Sequence, residues 1–313
     1  MADVKKIATR ESYGNTLKEL GAEFDNLVVL DADLAGATKT GIFQKAFPDR
    51  HFDCGIAESD MMSVAAGLST TGLVPFASSF AMFAAGRAYE QIRNSIGYPH
   101  LNVKIGGTHG GITVGEDGAS HQCCEDFALM RAIPGMVVMS PADDVEARAM
   151  VRAAYHYQGP VYMRFGRSAV PVFHEEGMEF TIGKGEILRQ GRDVAIIATG
   201  VMVYEALQAA ELLAQRGVDA MVINMATIKP LDEALVLEAA ERCGKVVTCE
   251  EHSVIGGLGE AVCSLLSEKR PTPVKRVGVE DVFGTSGSAA ALMKEFGLDS
   301  ESVADAVQEF CNK

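Results

Sequence analysis

The sequence has no tryptophan, no C-x-x-C pair, no low-complexity tract and no short internal repeat. The missing tryptophan says little about function, but the other absences exclude whole classes. Seven cysteines, at 54, 123, 124, 243, 249, 263 and 311, form an odd set without metal-ligand spacing, so neither a disulfide frame nor a zinc site is expected. No stretch approaches the roughly 18 consecutive uncharged apolar residues that a membrane span requires. The start, Met1-Ala2-Asp3-Val4-Lys5-Lys6, lacks the apolar stretch of a secretory signal, which points to the cytoplasm. Positive charge is also scarce: a net charge of −14 disfavours nucleic acid and anionic membranes, which need a broad basic field. Isolated basic residues can still grip a small phosphate.

What remains is a chain of 313 residues, 48% hydrophobic, long enough for two ordinary cores. In its first half, apolar runs such as Leu27-Val28-Val29-Leu30, His51 to Ile56, Leu101 to Ile105 and Met136-Val137-Val138-Met139 alternate with helix-like stretches. Ser140-Pro141-Ala142-Asp143 reads as a helix start, with the helix running to about Tyr157; Val161-Tyr162-Met163-Arg164 reads as the next strand. The pattern loosens from Pro171 to Gly191. Beyond it, Val194 to Ala198, Ala220 to Ile223 and Lys245 to Cys249 are buried-strand patterns, each followed by a helical segment. The expected fold class is α/β: two doubly wound domains, 1–172 and 191–313, each a mostly parallel sheet flanked by helices, joined by a linker at 173–190.

Three constellations carry chemistry. Glu58 stands where the run ending at Ile56 meets an apolar helix, beyond a strand end where ligands of parallel sheets bind; a helix-start acid favoured by the dipole is the bland alternative. Phe80 and Phe83 are three apart and could share a helical face, to stack on a flat heteroaromatic ring or simply to fill a core. The segment Gly106 to Gln122 holds six glycines, His109, Asp117 and His121. Glycines allow close backbone approach to a ligand, and histidines with acids suit hydroxyl binding and proton movement; a flexible surface loop is the alternative. Metal binding by His109, Asp117 and His121 has no helix-face spacing behind it, and no metal ligand is expected on this chain.

Five segments, in order, resemble the transketolase family: Ile7-Ala8-Thr9-Arg10-Glu11-Ser12-Tyr13-Gly14, Gly55-Ile56-Ala57-Glu58, Ser79-Phe80-Ala81-Met82-Phe83, Gly115-Glu116-Asp117-Gly118-Ala119-Ser120 and Thr227-Ile228-Lys229-Pro230-Leu231-Asp232. The resemblance spans essentially the whole chain and covers the family's second domain, which binds the aminopyrimidine of thiamine diphosphate, and its third, C-terminal domain. It implies a split enzyme that moves a two-carbon ketol unit from a ketose phosphate to an aldose phosphate. Glu58 is then the catalytic carboxyl on the pyrimidine nitrogen, Phe83 the main ring stack and Phe80 the pocket lining. His121 lies near the cofactor and the donor's first hydroxyl. Arg10, His109, Asp117 and Arg164 contact sugar hydroxyls or phosphate.

The family's G-D-G…N signature, which holds magnesium on the cofactor diphosphate, is missing. The resemblance therefore implies a partner N-terminal subunit that carries it, self-association through both domains, and a heterotetramer of two copies of each chain. Two departures stand out. Ala37 occupies the position of a phosphate-holding serine, with Thr38 or Lys39 as substitutes, and Gly110-Gly111 replace larger polar residues of the pocket wall. The beta subunit of a 2-oxo acid dehydrogenase, a deoxyxylulose phosphate synthase fragment and a non-catalytic relative that kept the fold are the alternatives.

Overall fold

The unbroken apolar run at Leu27 becomes the strand Leu27–Asp31, buried along its whole length in a computed structural model that describes residues 5–313. The first four residues of the chain's polar start lie outside the described residues. Covered on both faces, the strand needs no polar alternation. It sits in a seven-stranded sheet ordered Thr227–Lys229, Val137–Met139, Val161–Phe165, Lys104–Thr108, Val74–Phe80, Leu27–Asp31, His51–Asp53. All neighbours pair in parallel except the first two. From Leu27–Asp31 the chain moves first to one side, to His51–Asp53, and then to the other, to Val74–Phe80. That reversal opens a crevice beyond the carboxyl ends of these strands.

The second sheet has five strands, ordered Val274–Val279, Val246–Ser253, Val194–Ala198, Ala220–Asn224, Glu186–Arg189, with only the last antiparallel. Both domains are thus mostly parallel sheets flanked by helices. Glu186–Arg189 lies within the segment expected to connect them. No helix among the described residues is long and apolar enough to cross a membrane.

Local chemistry explains the ends of elements. The helix Asp144–His156 starts at Asp143, whose carboxylate accepts from Glu146 N at 3.0 Å, while Glu146 reaches back to accept from Ala142 N at 2.7 Å. This arrangement, close to a capping box, satisfies one N–H that the first turn leaves free and the N–H of the residue just before the cap. The helix Glu233–Cys243 is capped by the side chain of Asp232, which accepts from Leu235 N. Lys229, in the same motif, donates from Nζ to Arg131 O and Ile133 O, and so ties Thr227–Lys229 of the second half onto the first sheet.

Three expectations shift. The strand expected from His51 to Ile56 stops at Asp53, and the one expected at Leu101 to Ile105 is Lys104–Thr108. Phe80 is the last residue of a strand, so it shares no helical face with Phe83, which stands in a single π-helical turn, Met82–Arg87. Val74-Pro75-Phe76-Ala77-Ser78-Ser79-Phe80 has only one β-branched residue, and its small side chains fit because both of its neighbours press against it.

Candidate active site

Glu58 opens the helix Glu58–Ser69, and its carboxyl is only 2% exposed. Its partner is Arg87, whose Nη1 donates to Oε2 at 2.9 Å, rather than a backbone N–H of its own helix as a purely capping acid would have. Arg87, half exposed, also lies over the Phe83 ring, 5.0 Å from its centroid.

From that ring the contacts continue inward. Phe83 and Phe80 stack with centroids 5.7 Å apart and planes 14° from parallel; Phe80 in turn stacks on the His109 imidazole at 3.8 Å and 25°. His121 meets both phenyl rings edge-on, at 5.4 Å from Phe83 and 6.2 Å from Phe80. His109 follows directly on the strand Lys104–Thr108 and adopts φ 57°, a left-handed conformation uncommon for non-glycine residues.

Arg10 Nη1 lies 3.3 Å from His109 Nε2 and donates to Ala37 O at 2.7 Å. A guanidinium has only donors, so Nε2 is the acceptor and the ring proton sits on Nδ1, 2.9 Å from Thr108 Oγ1. Burial first, then the positive charges of Arg10 and Arg167, hold the His109 pKa down at about 3, so this imidazole is neutral at physiological pH. Burial and then Arg167 also lower Arg10 from the usual guanidinium value. An arginine whose charge is disfavoured by burial and by Arg167, set beside a neutral histidine, makes a receptacle for an anion.

Arg164 does not join this receptacle. It is 5% exposed, and Nη1 and Nη2 donate to Glu251 O and Cys123 O at 2.8 and 2.7 Å. Nε lies 3.2 Å from Asp126 Oδ2, a charge contact without hydrogen-bond alignment. Instead of opening toward a phosphate, as expected of it, this guanidinium has its donors turned to groups of both domains. Arg167, which belongs to none of the sequence motifs, is the second arginine whose charge reaches Arg10 and His109; its Nη1 pairs with Glu116 Oε2 at 2.9 Å and donates to Val114 O. Asp117 is exposed at the end of the turn Ile112–Asp117, and its side chain makes no hydrogen bond or ion pair among the described residues. Thr38 cannot substitute for a serine at Ala37, since it is fully buried and its hydroxyl donates to Asp31 Oδ2 at 2.7 Å.

The glycines also differ from expectation. Gly106 and Gly107 lie within the strand, where a Cβ would strike the hydroxyls of Tyr13 and Tyr162. At Gly110 and Gly111 a Cβ would strike Arg164 and Glu251, so these two side chains fill the pocket wall where relatives were expected to carry larger residues.

The cluster has a carboxyl and stacked rings suited to an aminopyrimidine, and no group of three or more His, Cys, Asp or Glu side chains able to hold a metal among the described residues. Residues 5–172 match the family described as "Transketolase, pyrimidine binding domain", and residues 183–303 match "Transketolase, C-terminal domain". The chain belongs to the transketolase family. It is 52% identical over 307 residues to a "Putative transketolase C-terminal section" of Methanocaldococcus jannaschii, covering 97% of this chain and 96% of that protein. It is 44% identical over 300 residues to a 6-deoxy-6-sulfo-D-fructose transketolase subunit of a Clostridium species, covering 96% of this chain and 93% of that protein. A solved structure described as a split gene transketolase, an inactive beta4 tetramer, superposes with a TM-score of 0.91 at 55% identity, covering 97% of this chain and 98% of that one. Within the transketolase family, this chain thus aligns along nearly its whole length with that C-terminal section and with that split gene transketolase structure.

Proposed function

We propose that this chain is the C-terminal subunit of a split transketolase, which transfers a two-carbon ketol unit from a ketose phosphate to an aldose phosphate with thiamine diphosphate. The observation that carries this reading is the convergence, along one row of strand ends, of a buried carboxyl, two stacked phenyl rings and an arginine against a neutral imidazole, with a second arginine's charge reaching both. Thiamine diphosphate, when bound, supplies a carbon nucleophile able to accept the two-carbon unit and hand it on. Glu58 holds the proton that is shared with the pyrimidine nitrogen, and Phe83 offers its face for stacking once Arg87 swings toward solvent. Phe80 lines the pocket behind it.

Arg10 and Arg167 grip the terminal phosphate, and the neutral His109 offers Nε2 to a sugar hydroxyl. His121, half buried at the ring edges, orients the donor's first hydroxyl, and Asp117 serves hydroxyls at the rim. Magnesium and the diphosphate belong to a partner N-terminal subunit, since this sequence has no G-D-G segment. Exposed Phe52 and Ile56 near Glu58, and Val282 and Phe283 in the second domain, favour self-association and a heterotetramer. The cytoplasm suits a protein whose seven cysteines are all unpaired.

The test mixes this chain with the product of the adjacent reading frame, thiamine diphosphate, magnesium, xylulose 5-phosphate and ribose 5-phosphate. Sedoheptulose 7-phosphate is the expected product; its absence together with turnover of pyruvate would sink the reading. Arg10→Ala and Arg167→Ala should each raise KM for phosphorylated sugars by roughly ten- to a hundredfold, since a charge-assisted hydrogen bond contributes about 1.5–3 kcal/mol. KM for a ketol donor without phosphate should stay constant. An equal rise for both kinds of donor would remove the phosphate role.

A further inference from the structure

The glycine-rich loop that carries His109 and His121 belongs to the first domain by sequence, yet the second domain holds it. Ile112, fully buried, is part of the hydrophobic core that the second sheet builds from residues such as Ile196, Val222 and Val247. One residue on, Thr113 N donates to Glu251 Oε1 at 2.6 Å, in a contact buried from solvent. Glu251 lies on the strand Val246–Ser253 of the second sheet, and its side chain fills the space that the missing Cβ of Gly111 leaves open. The same strand grips the far end of the loop, where Ser253 N donates to Cys124 O at 2.7 Å.

We propose that Glu251 is a positioning residue: from the C-terminal domain it fixes the backbone at Thr113, and through it the loop that presents His109 and His121. This gives the second domain a part in the site although it supplies none of the clustered groups. The inference rests on the transketolase reading only for what the loop does, and the clamp itself can be measured without ketol transfer. A buried N–H held by a carboxyl oxygen is a strong restraint, and its loss releases a segment that glycines otherwise leave free to move.

Hydrogen–deuterium exchange across residues 109–121 in the full chain tests it. Glu251→Ala should speed exchange there by roughly ten- to a hundredfold, the factor that corresponds to leaving one buried N–H without its acceptor. Glu251→Gln should keep the protection, because its amide oxygen can still accept from Thr113. Val307→Ala, which trims the second core on another helix, should leave the loop protected. If Glu251→Ala does not fold, Ile112→Ala loosens the same loop from its apolar anchor and should give the same local signature. Unchanged exchange in these variants, or equal loosening in Val307→Ala, overturns the clamp. In the reconstituted pair, Glu251→Ala should lower kcat/KM about tenfold and Glu251→Gln should restore it; a loosened loop with unchanged kcat/KM overturns the positioning role. A wild-type pair that turns over pyruvate and makes no sedoheptulose 7-phosphate sinks the functional reading and leaves the exchange result standing.

Discussion

Glu58→Ala should lower ketol transfer by the reconstituted pair by about two to four orders of magnitude, the usual contribution of a positioned acid or base. The carboxyl is buried, stands at the start of a helix beyond a strand end, and has one charged partner, Arg87, which is half exposed and free to leave. Alanine removes the group that holds the proton but keeps the helix, whose start depends on no side-chain bond from Glu58. Assembly with the partner chain should therefore be unchanged by size-exclusion chromatography. Glu58→Gln separates proton from shape: it preserves volume and an acceptor oxygen, yet it should be nearly as inactive as alanine. Full activity in either variant rules out the assigned role.

Much of this was legible because the informative residues lie where periodicity changes. The runs at Leu27, Val194 and Ala220 became buried strands because fully covered parallel strands are apolar throughout. The segment ending at Asp143 could be read as a helix start from its capping chemistry. Phe80 misled because its strand is built from small residues, whose burial depends on neighbouring strands that no local window contains. The two arginines show the same limit. Arg164 is inside the strand Val161–Phe165, while Arg167 lies past its end, on the side where the crevice opens. The rule that ligands bind beyond strand ends would have favoured Arg167, had the strand's end been known. Nothing in the sequence pairs Glu251 with Thr113, which are 138 residues apart.

Asp126→Ala should cost about 3–5 kcal/mol of stability, the usual result of stranding one member of a buried ion pair. Asp126 is fully buried, and its Oδ2 lies 3.2 Å from Arg164 Nε while also accepting from the Tyr162 hydroxyl at 2.8 Å. Burial alone would pull the Arg164 pKa down, but Asp126 and then Glu251 carry it above the ordinary guanidinium value. Without Asp126, that charge keeps its two carbonyl acceptors and loses its closest counter-charge. Asp126→Leu with Arg164→Met removes both charges at similar volume and should recover part of the loss, because desolvating an ion pair is itself costly. Cys123 O would keep the Gly111 N–H, at 2.8 Å, when Arg164 is gone. Urea unfolding at pH 7 measures both. A loss below about 1 kcal/mol for Asp126→Ala would place the pair among contacts of no energetic weight, as exposed ion pairs are. A double variant no more stable than Asp126→Ala would instead assign the loss to packing around Phe127, over whose ring Arg164 lies at 4.5 Å.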